Sequence, residues 1–304
     1  MVLHHYQFGP LNLAIRAKPR DPNLLGLQAA LRGYGAQEPF AEPPGMTLTL
    51  SYCGIPAEGL THHNLISQRM YGSLVVGTYR LQEASVAVVY TDLLEKSYVL
   101  FVCSEDFTKV QLAHAEIPAR HSPLFDYLGD LMTVAANSLG ANIIHSALIE
   151  YRGQAVILPA PSGTGKTTHA MLWQDAGLAE IINGDRALCW QEGAQWYAHG
   201  IPWHGTSGTY INKTLPLLCA VVLEQAAHNE ITRLDTMAGI AHMLPNIRGG
   251  TWSPRTQEKL WGFLDRILST CPVYLLRCRP DLDAVHTLKR ELDYLLDGRA
   301  KADS

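Results

Sequence analysis

The chain has 304 residues, 47% of them hydrophobic and 17% charged, enough to bury a substantial core and to form two domains. A formal charge of −4, with Lys and Arg scattered and no basic block, provides no general field for nucleic acid or an anionic membrane. Met1-Val2-Leu3-His4-His5 opens no secretion signal, and no apolar run reaches the ~18 residues a bilayer span needs, so a cytoplasmic protein without nucleic-acid or membrane partners is expected.

Up to about residue 121, extended apolar segments alternate with turn-forming clusters. The strand candidates are Leu11–Ile15, Met46–Tyr52, Leu74–Leu81, Ser85–Tyr90 and Tyr98–Cys103. A helix is expected over Pro22–Arg32, where Asp21 can cap and proline suits the first turn, and a short one over His63–Gln68. Ser122-Pro123 then opens an amphipathic helix carrying Leu124, Leu128, Leu131, Met132, Ala135 and Leu139, which Gly140 can end. The boundary is placed before this helix, giving a β-rich α+β domain, 1–121, suited to substrate or partner recognition, and a second domain, 122–304. The cysteines form no CxxC pair and sit mostly in apolar runs, which reads as reduced packing residues rather than a disulfide framework or a zinc site.

The most informative stretch follows a predicted strand, Ile143–Glu150, and a turn, Tyr151-Arg152-Gly153-Gln154. There Ala155-Val156-Ile157-Leu158, apolar as in a strand buried on both faces, leads into Pro159-Ala160-Pro161-Ser162-Gly163-Thr164-Gly165-Lys166-Thr167-Thr168 and a helix. Glycines at 163 and 165 let backbone amides approach an anion, Lys166 reaches outer phosphates, and the Thr167 hydroxyl can hold Mg²⁺. Ser162, Gly163, Thr164, Gly165, Lys166, Thr167 and Thr168 are therefore the candidate ATP-binding residues. A glycine-rich turn that merely joins strand to helix is the alternative. Ala160 stands where the first glycine of the phosphate-loop pattern is expected, and it would be strained if that position needs a positive φ.

Behind the loop, Glu180-Ile181-Ile182-Asn183-Gly184-Asp185 is a short apolar strand ending in an acid. Asp185 is a candidate metal ligand, with Thr167, and a candidate base for a hydroxyl proton; a turn aspartate is the alternative. Candidates for the substrate site are His199 and His204, in His199-Gly200-Ile201-Pro202-Trp203-His204-Gly205-Thr206-Ser207-Gly208, together with Lys213 and Arg248. A substrate-facing loop and an ordinary surface turn are both open there. His169, one turn into the helix, reads as a packing or capping residue.

His145, the strand into Glu150, Gly153, Val156 and Ser162-Gly163-Thr164-Gly165-Lys166-Thr167 fall without a gap onto a histidine-led strand that turns back into a phosphate loop. In this, residues of about 145 to 290 resemble the HPr kinase/phosphorylase and ATP-dependent phosphoenolpyruvate carboxykinase superfamily. Ser162 to Thr168 is also similar to the carboxykinase loop and Gly184-Asp185 to its acidic Gly-Asp-Asp segment. Pro272-Val273-Tyr274-Leu275-Leu276, followed by Pro280-Asp281, resembles the end of many kinase-like members. The resemblance implies an α/β phosphate-loop core in which Lys166 and Thr167 bind ATP and Mg²⁺, Asp185 is base or metal ligand, and His145 lies near the transferred phosphate. The family's acidic pair is a single acid here, beside Arg186, and the HPr-kinase signature downstream of the loop is not found.

Three functions follow as expectations. The first is an ATP-dependent kinase acting on a hydroxyl-bearing substrate, with serine in a peptide, a protein or the free amino acid as acceptor. The others are a nucleotide-binding regulator and an ATPase. Homo-oligomerisation stays open.

Overall fold

The computed structural model describes residues 1–40, 45–52, 54, 60–81, 85–117, 123–247 and 253–302. The chain divides into two compact units, Met1–Leu139 with Gly249–Lys259, and Gly140–Arg248 with Leu260–Ser304. The helix expected to open the second domain belongs to the first unit, so this division falls after that helix, not before it.

In the first unit the described elements up to residue 139 are β1 (Val2–Phe8), β2 (Leu11–Ala17), α1 (Pro22–Ala30), β3 (Met46–Leu50), β4 (Leu65–Tyr71), β5 (Leu74–Arg80), β6 (Ser85–Asp92), β7 (Ser97–Ser104), β8 (Lys109–Glu116) and α2 (Leu124–Ser138). The strands form one sheet in the order β1-β2-β3-β8-β7-β6-β5-β4. Asp21 caps α1 by accepting from the Asn23 and Leu24 amides at 2.9 and 3.4 Å, as its sequence position predicts. Along α2 the apolar spacing buries Leu124, Leu128, Leu131 and Met132, and Tyr127 stacks on Tyr90 of β6 with centroids 4.0 Å apart. The helix expected over His63–Gln68 is instead a single 3-10 turn, His62–Asn64, followed by β4. So short a window has too little apolar face to hold a helix. Gly72, at φ 60°, turns the chain so that Leu65–Tyr71 pairs with β5.

The second unit contains β9 (Asn142–Tyr151), β10 (Gln154–Pro159), α3 (Lys166–Asp175), β11 (Glu180–Asn183), β12 (Arg186–Glu192), β13 (Gln195–Gly200), β14 (Thr214–Gln225), β15 (Glu230–Arg233), α4 (Thr236–Met243), most of α5 (Pro254–Thr270), β16 (Val273–Cys278) and α6 (Leu282–Ala302). Arg152 and Gly153 both adopt positive φ, 50° and 78°, which makes the tight hairpin between β9 and β10. The long strand β9 pairs with β12 through its first half and with β10 and β11 through its second. Pairing then runs from β12 to β13, from β13 to β14, and from β14 in parallel to β10, which closes a circuit. β16 and β15 extend the sheet beyond β14.

Alternate residues of β14 and β16 face two apolar layers. Val222 and Leu275 pack with Met243 of α4 and Phe263, Leu264 and Ile267 of α5. Leu223 and Leu276 pack with Ala170 and Trp173 of α3 and Val285, Leu288 and Leu292 of α6. Helices therefore cover both faces, and Ala155-Val156-Ile157-Leu158 of β10 is fully buried, as its unbroken apolar run predicts. Trp173 is completely buried under α3. Truncating it to Ala would cost about 3–5 kcal/mol and loosen the helix that carries Lys166. Taken together, the described residues form a mixed α/β protein with two large sheets and six α-helices. None of these helices is long and apolar enough to cross a membrane.

Candidate functional site

The site is built where β9 and β10 meet. Their register sets Ser146 opposite Pro159, so the loop leaving β10 emerges beside His145. The loop turns through Gly163 at φ 81° and Gly165 at φ 109°, ψ 20°, and Lys166 is the first residue of α3. These are left-handed conformations that L side chains resist. A Cβ on either glycine would point into open space. The first-turn amides of α3 have no intrahelical partner by the geometry of any helix start, and no side chain caps them.

Ala160 is not among the residues with positive φ. The expected strain is absent, and the position needs no glycine. Its methyl group is fully buried in the layer under α3, and its carbonyl accepts a hydrogen bond from Lys166 Nζ at 2.8 Å.

Lys166 is nearly buried, 6% exposed, and its ammonium is directed to one point. It lies 3.2 Å from the Pro161 carbonyl and 2.9 Å from His145 Nε2. On the other side of the imidazole, His145 Nδ1 is 3.4 Å from Asp185 Oδ1, and Asp185 Oδ2 is 3.5 Å from Arg186 Nε. Three candidates from separate segments, the strand-borne His145, Lys166 at the start of α3 and Asp185 after β11, are thus brought into one row.

Asp185 is held by a residue the sequence reading passed over. Asn183 is fully buried, and its Oδ1 accepts from the Asp185 and Arg186 amides, both at 2.8 Å. Its Nδ2 donates to the carbonyls of Ile201 and Trp203 at 2.6 and 3.4 Å. This ties the Asp185 turn to the segment after β13. There the backbone of Gly205, at φ 59°, passes so close that a Cβ would lie 2.7 Å from Asp185 Cγ. The clue in the sequence was an amide at the end of an apolar strand, since a buried Asn must spend all its hydrogen-bonding groups.

The substrate candidates are scattered. His199 is buried in β13 with Nδ1 2.8 Å from Thr214 Oγ1, and burial pushes its pKa down to about 4, so it is a neutral interior group. His204 stacks on Tyr210, with ring planes 2° apart, and flanks Gly205. Lys213 pairs with Glu150 and lies 3.7 Å from Glu180. Glu150 is at the far end of β9, roughly 17 Å along the strand from His145, so the Lys213 charge is committed elsewhere. Arg248 lies outside the described residues. Of the expected substrate loop, it is the Gly205 end and not His199 that reaches Asp185.

On the opposite side of β10, β14 ends in Glu224 and Gln225. Gln225 Nε2 donates to the Thr164 carbonyl at 3.2 Å, bracing the loop, while Glu224 Oε1 accepts from Arg277 Nε at 3.0 Å. The apolar run Leu217–Leu223 ending in an acid is the same signal that singled out Asp185. Two clefts flank the loop here, of about 530 Å³ on the α4 side and 480 Å³ on the α3 side, and Glu224 lines both. Among the described residues no three His, Cys, Asp or Glu side chains form a metal cluster.

No family profile and no curated protein matches this sequence. Among solved structures, the HPr(Ser) kinase/phosphatase from Coxiella burnetii is similar at 10% identity and a TM-score of 0.31, over 54% of this chain and 99% of that one.

Proposed function

We propose that the protein is an ATP-dependent kinase that transfers the γ-phosphate to a hydroxyl group, with serine in a peptide, a protein or the free amino acid as the acceptor class. The reading rests on one observation, the row Lys166–His145–Asp185 set against a loop whose glycines face open space.

The residues fit a nucleotide. The loop amides and the start of α3 suit an anion, and Lys166 is poised to leave two carbonyls for a phosphate. Thr167 and Asp185 would hold a Mg²⁺ that takes its remaining ligands from phosphates and water, which needs no dedicated protein cage. Bound Mg-ATP supplies the phosphoryl group and its leaving group. The chain's own part is to position, to neutralise charge and to take a proton. In this reading Asp185 accepts the proton of the attacking hydroxyl, His145 orients that carboxylate, and Asn183 with the Gly205 backbone keeps it from turning away.

Arg186 favours a second reading. Its guanidinium lies 3.5 Å from one carboxylate oxygen of the single acid and competes with an incoming hydroxyl for it, which suits a protein that binds ATP without transfer, or one that passes phosphate to water.

The test is ADP formation from Mg-ATP with serine peptides, proteins and free serine. A kinase releases ADP only with acceptor and loses this in Lys166→Ala and Asp185→Asn. Turnover that survives both changes overturns the proposed site. Tight ATP binding with no phosphorylated product supports the regulator, and equal ADP release with and without acceptor supports the ATPase.

A further inference from the structure

We propose that the cleft on the α3 side receives the nucleoside of the bound nucleotide, and that the Nδ1–H of His169 is the donor that reads it. This rests on the phosphate-loop reading above and adds a direction to it.

The direction comes from sheet order. Lys166, His145 and Asp185 mark the outer-phosphate end on the β9 side of β10, whereas β14 and β16 lie on its other side. The inner end of a triphosphate therefore points toward β14 and β16. Both clefts open there. The α4-side cleft meets the loop only at Pro161–Thr164, whereas the α3-side cleft reaches Thr168 and His169, past the residue that ends the phosphate cradle. The walls of the latter include Leu223, Ala226, Cys278 and Pro280, which suit a flat heterocycle.

His169 supplies the second, independent observation. It is 3% exposed, and its Nε2 lies 3.2 Å from Trp173 Nε1. An indole nitrogen only donates, so Nε2 is the unprotonated acceptor. With Nε2 unprotonated the ring is neutral. Its one proton is then on Nδ1, which is buried and has no hydrogen-bond partner among the described residues. A buried donor of this kind is costly unless an acceptor meets it, and a ring nitrogen of a base or a ribose oxygen is such an acceptor.

Calorimetry with Mg-ATP and Mg-tripolyphosphate tests this on the full chain, because tripolyphosphate occupies only the cradle. The wild type is expected to bind ATP at least about tenfold more tightly than tripolyphosphate. His169→Phe, which keeps a ring and removes the donor, should weaken ATP about tenfold and leave tripolyphosphate unchanged. Because His169 is a core residue, Ala226→Trp at the cleft wall serves as the second variant. Ala226 is not part of the apolar layer under α3, so the substitution fills the space without removing a core side chain and should show the same selective loss. Equal affinity of the wild type for both ligands overturns the inference and leaves the loop reading standing, as does unaltered ATP binding in a folded Ala226→Trp protein. If the wild type binds neither ligand, the loop reading itself fails, and the inference fails with it.

Discussion

Lys166 and His145 define each other's hydrogen-bonding roles. An ammonium has donors only, so the 2.9 Å contact makes His145 Nε2 an acceptor. The imidazole proton is then on Nδ1, the atom facing Asp185 Oδ1 at 3.4 Å. A lysine at the start of a helix thereby sets the tautomer of a histidine on a strand and, through it, the face that the histidine presents to an acid.

If Lys166 neutralises charge that develops on a transferred phosphate, Lys166→Ala should lower kcat about 10²–10³-fold. The fold should persist, because α3 is docked by Ala170 and Trp173 and not by the lysine. Acceptor-dependent ADP release, with circular dichroism as a control, checks both parts.

Gly205→Ala probes the positioning of Asp185 without altering any side chain in the row. The new Cβ would lie 2.7 Å from Asp185 Cγ, on a residue at φ 59°. We expect about a 10²-fold drop in turnover from the displaced carboxylate and a stability loss of about 1–2 kcal/mol from the backbone. ATP affinity should fall much less than turnover, and calorimetry alongside kinetics separates the two effects.

Restoring the glycine of the usual phosphate-loop pattern should not help. Ala160 has no positive φ and its methyl is buried, so Ala160→Gly is expected to cost about 0.5–1 kcal/mol and to gain no activity. Gly165→Ala, at φ 109°, should strain the loop and weaken ATP binding. Urea unfolding and nucleotide titration of the two variants should show this contrast.

Two buried histidines predict acid sensitivity. His169 and His199 have folded pKa values pushed by burial from 6.5 to about 4. Above pH 6.5 both folded and unfolded forms are neutral and stability is at its full value. As the pH falls from 6.5 toward 4 the unfolded chain takes up protons that the folded one does not, so stability drops by up to about 1.4 kcal/mol per pH unit for each histidine. Below pH 4 this contribution to the slope ends. Urea unfolding between pH 7.5 and 4.5 should show the decline, and His199→Gln should make it shallower.

Much of the local structure was legible because it is written in near neighbours. Asp21 capping α1, the apolar run of β10, the positive-φ hairpin at Arg152-Gly153 and the glycines ahead of Lys166 all depend on residues a few positions apart. The 3-10 turn and strand at His62–Tyr71 were misread because six residues lack the apolar face that would distinguish a helix from a strand paired across Gly72. Glu224 went unnoticed because an acid ending an apolar strand acquires meaning only once that strand is known to lie beside β10.

The amino-acid sequence alone determined the glycine-rich turn between a buried strand and a helix, with Lys166 at its end, since backbone conformation and burial pattern are properties of contiguous residues. Only the tertiary structure decided which distant groups meet there. It drew Asp185 to His145 through the register of β9 with β12, took Lys213 away to Glu150, fastened Asn183 to Ile201, and made Ala160 an unstrained core residue. Strand register and packing distribute charges across space, and no short window of sequence contains that information.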